Sequence, residues 1–530
     1  MTMKPMKYGM ILILVSVFCM ILSFLFHSNA HKMFRSGIPV SRKPTEIVSE
    51  LQAQVNQIFS HVDQMVPKVN VTHKDNTSCA QNSIVTIVNP KERYCVGDKL
   101  IVQVDMFDYL RIRKNYGGDY LKARIFTPKL GAAASGKIED FKNGTYHIHF
   151  TLFWEGEIVV SVFLIHPSEG ISAVWSSRNR WYGYIEYKGK FTMENQQTEA
   201  KCGFERDNSK ESCEYADPRD EEYFYCEKPL NYPCNSLTDI ISVKNLKSNL
   251  TEMEKSFFEK SNTRVEIPKD FGNITTVKCN KNTVIKTRCK IGMNLEYPSG
   301  YFMKNIWNPH TCSMQTYRSM EEINKCIQGK FIYIFGDSTL RQWMEYFQSE
   351  LKTLTILNRY EGGWAKQLLG IDPQRNIMIR WKRHASPFIT TSYQSYKEER
   401  TIPREIDLIG GHQHTVIVLN IGVHFRSHPL HHYIRRLINI RKALERLFIR
   451  SPQTKVIIKS ENSGDEATDL ELMCGFHGYV QYLIMEQIFK DLNVGFVNGW
   501  DMTTAFDYNI IHPPRTYVQN EVDMLMTYIC

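Results

Sequence analysis

The first residue in this sequence with the surroundings of a nucleophile is a serine placed after Gly-Asp at the end of an apolar run. The run is Phe331-Ile332-Tyr333-Ile334-Phe335, and Gly336-Asp337-Ser338-Thr339-Leu340-Arg341 follows. Leu340, Trp343, Met344, Phe347 and Leu351 then recur on one helical face. This spacing predicts a buried strand, a tight turn and an amphipathic helix, with the Ser338 hydroxyl at the carboxyl end of the strand. Open α/β sheets bind ligands at that edge. A helix N-terminus there offers unpaired N–H groups and a positive dipole end to a developing oxyanion. Alone, Gly-Asp-Ser is also the composition of an ordinary capped turn, so the partners of Ser338 decide.

A serine nucleophile needs a base, a group that orients the base, and oxyanion donors. His512 lies in Asp507-Tyr508-Asn509-Ile510-Ile511-His512-Pro513-Pro514, where the two prolines hold an extended loop before the last helix. Asn420 ends the apolar run from Thr415 and is a candidate oxyanion donor or a turn cap. Gly362-Gly363-Trp364 is a loop in which glycine lets N–H groups approach a substrate. Arg375, Arg380, Lys382 and Arg383 form a basic patch near the same edge, either a solvated strand rim or a site for an anionic sugar or phosphate-bearing donor. Arg341 and His424 complete the candidate substrate-binding set. His428, His431 and His432 have no carboxylate or cysteine at ligand spacing, so no metal site is assigned.

The elements that must position these residues alternate from 329 to 530. Strands are predicted at Asn376–Trp381, Thr415–Asn420, Lys455–Lys459 and Val494–Val497, with helices over about 429–449, 478–491 and 517–528. Near-continuous apolar strands between helices predict an α/β doubly wound parallel sheet. Over 81–199, short β-rich runs separated by turn residues predict an antiparallel sandwich of immunoglobulin or filamin type. Asp140 followed by Asn143-Gly144-Thr145-Tyr146 resembles a corner where a tyrosine hydroxyl ties a turn to the next strand. Residues 200–328 hold eight cysteines at spacings that match no zinc template, and read as a disulfide-stapled connector.

The compartment follows from the first 80 residues and two counts. Lys4 and Lys7 precede an apolar run from Gly9 to Phe26, so 1–30 reads as a signal anchor or a cleaved signal peptide, with 31–80 as a stem. No other window is apolar enough to span a membrane. Setting Cys19 aside leaves 12 of the 13 cysteines, the even number a disulfide framework requires. Glycosylation sequons stand at Asn70, Asn76, Asn143, Asn249 and Asn273. These place the chain in the secretory pathway, in the Golgi lumen or secreted. The net charge of +9 comes with no basic helix, zinc-finger spacing or RNA-binding motif, and 331–530 carries 22 Lys+Arg against 21 Asp+Glu, so nucleic acid is rejected as a partner.

Gly-Asp-Ser after a strand, a glycine loop, Asn420 and a late His512 resemble the four blocks of the SGNH hydrolases. The stretch from Trp307 through Cys312 and Cys326 to Arg341 resembles the opening of their PC-esterase branch. With a sandwich and a cysteine-rich segment ahead of it, residues 80–530 resemble the neurexophilin and PC-esterase domain family. That resemblance implies a Ser338 nucleophile and a His512 base. It also implies an oxyanion hole of Ser338 and Gly363 N–H groups with the Asn420 amide. The implied chemistry moves acetyl to serine, then to a glycan hydroxyl or to water. No cofactor is implied to stay bound; a transferase needs an acetyl donor, for which acetyl-CoA is one candidate. Where the family has an acid three residues before histidine, this chain has Asn509; Asp507 is the candidate substitute, and Asp501 lies further back. The leading expectation is a glycan O-acetyltransferase, one candidate acceptor being sialic acid. The alternatives are a secreted ligand whose sandwich binds a cell-surface receptor, and an O-acetyl esterase.

Overall fold

Alternation along the strand Tyr120–Thr127 builds two interfaces at once. Leu121, Ala123 and Ile125 enter a core with Val102, Val104, Ile148 and Phe150, while Tyr120 packs into the core of the carboxyl-terminal half. The computed structural model describes residues 48–530 apart from 70–72, 89, 181–184, 245–246, 280–285, 294–295, 359–366 and 466–468.

The upstream core lies between two sheets. One has four antiparallel strands in the spatial order Ser78–Ile87, Lys99–Asp108, Thr145–Thr151 and Lys137–Asp140. The other is mixed and eight-stranded, centred on Tyr120–Thr127 and Gly156–His166. The sandwich does not end at 199, because Ile274–Val277 and Gly300–Met303 from the expected connector extend the second sheet. Ile185–Met193 instead joins a separate six-stranded sheet with Gln196–Gly203, Ser212–Asp217, Glu222–Glu227, Leu237–Lys244 and Gln394–Ser395. The Tyr146 hydroxyl donates to Asp119 Oδ2 at 2.9 Å and accepts the Asp119 N–H at 2.9 Å. It therefore ties a distant loop, not the adjacent turn. Asp140 holds that same loop through the Gly118 N–H at 2.8 Å.

In the carboxyl-terminal half a seven-stranded sheet runs Thr355–Asn358, Leu368–Asp372, Ile377–Lys382, Phe331–Phe335, Thr415–Leu419, Lys455–Lys459, Gly495–Val497. The last five are parallel, and Leu368–Asp372 runs antiparallel to both of its neighbours. The expectation of an all-parallel sheet is corrected at that edge. Only Pro373-Gln374-Arg375-Asn376 joins Asp372 to Ile377, and a link that short can make only a hairpin. Helices Leu430–Arg450 and Gly475–Phe489 cover one face, and Ser338–Glu350 and Arg515–Ile529 the other. Helices Ser168–Arg180 and Gly499–Phe506 were not anticipated.

The expected stem is corrected as well. Helix Glu50–Asp63 buries Leu51, Val55 and Val62 in the core that holds Leu430–Arg450, and Asp63 accepts the Trp175 indole N–H at 2.8 Å. An apolar face of that size has to be covered. The leader lies outside the described residues.

Five disulfides join Cys95–Cys279, Cys202–Cys226, Cys213–Cys234, Cys289–Cys312 and Cys326–Cys530. All eight cysteines of 200–328 are bonded. Cys79 and Cys474 are buried thiols, so the even count of 12 is not a fully paired set. Cys326–Cys530 clamps the last helix to the segment leading into the strand Phe331–Phe335, across 204 residues. Replacing both cysteines by alanine is expected to cost about 2–5 kcal/mol, read as a lower melting temperature under non-reducing conditions. An unchanged melt would show the clamp to be dispensable.

Candidate active site

Gly336 and Asp337 turn the strand Phe331–Phe335 into the helix Ser338–Glu350. A Cβ on residue 336 would lie 2.5 Å from the Asn420 carbonyl oxygen, so the chain passes the neighbouring strand end only as glycine. Asp337 is the N-cap, its Oδ1 accepting from the Thr339 N–H at 2.8 Å and the Thr339 hydroxyl at 2.7 Å. Ser338 is thus the first helical residue, where backbone N–H groups have no intrahelical acceptor. Leu340, Trp343, Met344 and Phe347 anchor the helix in the core.

Ser338 Oγ stands 2.6 Å from Nε2 of His512. In the tautomer protonated at Nδ1, the hydroxyl donates to the imidazole, the geometry a general base requires. Ser338 is buried and His512 exposed, so the pair opens to solvent on the imidazole side. His512 sits on irregular backbone, whose carbonyls need donors from elsewhere. The Asp465 N–H donates to Asn509 O at 2.8 Å, Asn462 Nδ2 to Ile511 O at 2.9 Å, and Gln342 Nε2 to Pro513 O at 2.9 Å.

Two of these donors belong to the turn Ser460–Asp465 that leaves the strand Lys455–Lys459. Arg426, fully buried, organises that turn. Its Nε and Nη2 donate to Glu461 Oε2 at 2.8 and 2.5 Å, Nη2 also to Asn462 O at 3.1 Å, and Nη1 to Gly464 O at 3.1 Å. Lys459 Nζ donates to Asn462 Oδ1 at 2.9 Å and pairs with Glu521 at 3.2 Å. Glu521 in turn accepts the Trp343 indole N–H from the serine-bearing helix at 2.8 Å. A Cβ on Gly464 would lie 2.7 Å from Ile511 Cγ1 and 3.0 Å from Ile511 N, so the histidine loop rests directly on this backbone. One polar chain of contacts therefore sets both the serine helix and the histidine loop.

Although His512 has an edge open to solvent, the protein packed around its ring desolvates it and holds its pKa below 6.5. The Asp337 carboxylate opposes that shift, the Arg341 cation adds to it, Glu345 opposes it and Lys459 adds to it. His512 is thereby an unprotonated base at neutral pH, with Asp337 supplying negative charge without a hydrogen bond to it. Burial pushes His424 down to about 4, so this second imidazole stays neutral in the same field. Its ring lies 5.0 Å from that of His384.

Asn420 lies where the sequence places it, just past Thr415–Leu419. Its Nδ2 donates to Lys459 O at 3.0 Å, using one of two hydrogens, and its Oδ1 is buried without a partner among the described residues. Asp337 Oδ2 and Glu461 Oε1 are orphaned in the same way. Gly363 falls outside the described residues.

Asp507 is not brought to His512. It ends helix Gly499–Phe506 in a left-handed conformation, and its carboxylate meets Arg264 Nη2 at 2.7 Å and Arg124 Nη2 at 3.2 Å. Among the described residues, Ser338 is the hydrogen-bond partner of His512, so the acid role assigned to Asp507 is corrected: two arginines hold it. Asp501 is buried against Ser299, whose hydroxyl it accepts at 2.6 Å. The basic patch is largely consumed by pairing. Arg383 pairs with Glu399 and covers the Phe388 ring at 4.1 Å, Lys382 pairs with Glu405 at 2.6 Å, and Arg375 with Asp372 at 2.9 Å. Arg380 reaches Gln367 at 3.2 Å and Glu405 at 3.8 Å. A charge this close to the core needs a counter-charge, which argues against a free anion-binding rim. Arg341 lies beside the pair, bridged to Glu345 at 3.3 Å. Asn76, Asn143, Asn249 and Asn273 are exposed; Asn70 is not described.

Sequence reasoning missed Arg426, Lys459, Glu461, Asn462 and Asp465. The polar run Lys459-Ser460-Glu461-Asn462-Ser463-Gly464-Asp465, directly after an apolar strand, was the available signal.

Two outcomes follow for labelling of Ser338 by a fluorophosphonate. The rate should fall with acidification along a curve whose midpoint lies below pH 6.5, because His512 must be unprotonated and its pKa is lowered; a midpoint above 6.5 contradicts the assigned field. Asp507→Asn should label within about threefold of wild type, whereas removal of a triad acid costs about 10⁴-fold. A loss of that size would return Asp507 to the site.

Residues 60–244 match the family model described as Neurexophilin, and residues 307–530 match that described as NXPE family member 4-like, C-terminal domain. Among solved structures, one similarity is to invasin, titled a bacterial integrin-binding protein, at 9% identity and a TM-score of 0.14. It covers 58% of this chain and 60% of that one. A likeness that weak supports no statement about fold or partner. These two matches, in this order along one chain, are to the two domain families that the sequence resembles, neurexophilin followed by the PC-esterase-like NXPE carboxyl-terminal domain.

Proposed function

We propose that this protein is a serine acyltransferase of the secretory pathway that moves acetyl groups onto glycan hydroxyls. The observation that carries the reading is the 2.6 Å contact between Ser338 Oγ and His512 Nε2 at the carboxyl edge of a parallel sheet. We read that sheet as an SGNH-type doubly wound domain and the upstream sheets as an immunoglobulin-like sandwich. The domain families matched on this chain support both readings.

In the proposed reaction, Ser338 Oγ attacks the carbonyl carbon of an acetyl thioester such as acetyl-CoA, and its proton passes to His512 Nε2. The oxyanion forms at the helix N-terminus, where the Ser338 N–H and the Asn420 amide are the available donors. Collapse of the intermediate expels the thiolate, which takes the proton from His512. A glycan hydroxyl then gives its proton to His512 as it attacks the acetyl-serine, and His512 returns that proton to Ser338 Oγ. Asp337 stabilises the transient imidazolium through space, in place of a hydrogen-bonded acid.

Bonded cysteines and exposed sequons support passage through the oxidising, glycosylating secretory pathway. Among the described residues no helix is long and apolar enough to cross a membrane. In this reading the chain works in the Golgi lumen, on glycans among which sialylated ones are candidate acceptors, with a thioester as donor. An O-acetyl esterase would use the same residues with water as acceptor. The neurexophilin match favours one further reading, in which the sandwich of a secreted form binds a cell-surface receptor.

Expression of wild type and Ser338→Ala in the same cells, followed by O-acetyl analysis of released glycans, tests these readings. A rise with wild type alone is expected, and Ser338→Ala should lose about a thousandfold or more of the acylation rate. A fall with wild type would mean an esterase, and identical glycans in both would end the enzymatic reading.

A further inference from the structure

The sandwich reaches into the neighbourhood of the dyad with a buried cation. Lys122 projects from the face of Tyr120–Thr127 opposite to Leu121, Ala123 and Ile125. Its Nζ donates to the Ser463 carbonyl at 2.6 Å and pairs with the Asp465 carboxylate, which also accepts the Tyr120 hydroxyl at 3.3 Å. Lys122 and Asp465 are both buried. Burying a lysine is costly unless it is paired and hydrogen-bonded, and here its partners come from a single turn. That turn is the one on which the histidine loop rests: the Asp465 N–H holds Asn509 O at 2.8 Å, Asn462 holds Ile511 O at 2.9 Å, and Gly464 underlies Ile511.

We infer that Lys122 is a positioning residue for His512, so that the sandwich completes the acyl-transfer site instead of serving only as an appended binding module. This rests on the acyl-transfer reading above. Lys122 does not touch the reacting atoms; it fixes the turn that fixes the loop. The other charged groups around the Asp465 carboxylate cannot take its place. Arg264 stands 3.9 Å from it and is committed to Asp507 at 2.7 Å, while Arg426 spends its donors on Glu461 and on carbonyls of the turn. The ring faces beside Lys122 Nζ, Trp500 at 5.2 Å and Tyr120 at 5.9 Å, accommodate a cation but accept no conventional hydrogen bond. Removing Lys122 takes away the cation hydrogen-bonded to this buried carboxylate. Among the described residues it leaves Arg264, at 3.9 Å and shared with Asp507, as the nearest counter-charge where the histidine loop is supported.

The full secreted chain should be tested as wild type, Lys122→Met, Lys122→Arg and the double variant Lys122→Met/Asp465→Asn. The readouts are fluorophosphonate labelling of Ser338, p-nitrophenyl acetate hydrolysis, and melting temperature. Lys122→Met, assayed well below its melting temperature, should lose about tenfold or more in kcat and in labelling rate with KM little changed, in keeping with the loss of catalytic orientation. Lys122→Arg, which keeps the cation, should recover most of that loss. The double variant removes both buried charges and so folds even where the single one does not; it should remain slow, because the donor to Ser463 O is gone. Wild-type labelling and kcat in folded Lys122→Met or in the double variant would overturn the positioning role while leaving the dyad standing. A wild-type chain that neither labels nor hydrolyses the ester would overturn the acyl-transfer reading and this role with it.

Discussion

A fully buried guanidinium is the constraint around which the site is arranged. Arg426 is out of reach of bulk solvent, so its donors have to find fixed acceptors, and they find them in the Glu461 carboxylate and the carbonyls of Asn462 and Gly464. That requirement gives the turn Ser460–Asp465 one conformation. Breaking a pair of this kind by removing one partner costs about 3–5 kcal/mol, because the other charge stays buried. The turn is therefore rigid enough to act as a platform although it contains no regular structure.

The geometry of the Ser338–His512 pair is a consequence of that platform. Ser338 is held by elements that any α/β sheet provides: a strand end, a capped turn and a helix anchored by Trp343 and Phe347. His512 has no such support of its own. It stands on a loop whose carbonyls are taken up by Asn462, Asp465 and Gln342. The Lys459–Glu521–Trp343 contacts tie this support back to the serine helix, so that Ser338 and His512 share one frame. The absence of an acid at position 509 is then less damaging than the motif suggests. Orientation comes from the loop, and charge comes through space from Asp337, whose carboxylate favours the protonated imidazole.

How far the sequence revealed this depends on whether a feature is local. The strand–turn–helix around Ser338, the helix Leu430–Arg450 and the strand Lys455–Lys459 follow from hydrophobic periodicity, and the structure places them within two residues of the expected limits. Asn420 was found because it ends an apolar run, and His512 because two prolines hold it in an extended loop before the last helix. Asp507 was misassigned because nearness in sequence stood in for nearness in space; Arg264 and Arg124, more than 240 residues upstream, hold it instead. The helix Glu50–Asp63 was read as part of a stem because its partner helix begins at residue 430. Lys122 and Arg124 alternate with apolar residues, a pattern that normally marks a solvated sheet face. Nothing in a single sequence distinguishes that from a face packed on a second domain. The polar turn Ser460–Asp465 was passed over because polar residues after a strand are the ordinary composition of a loop.

The central claim is that Ser338 carries an acyl group during turnover. The most direct measurement is mass spectrometry of the chain quenched in acid within seconds of mixing with p-nitrophenyl acetate, followed by peptide mapping. The account predicts one added acetyl group on the peptide containing Ser338, absent from Ser338→Ala and strongly reduced in His512→Gln. Acetylation spread over surface lysines, equal in all three proteins, would contradict it.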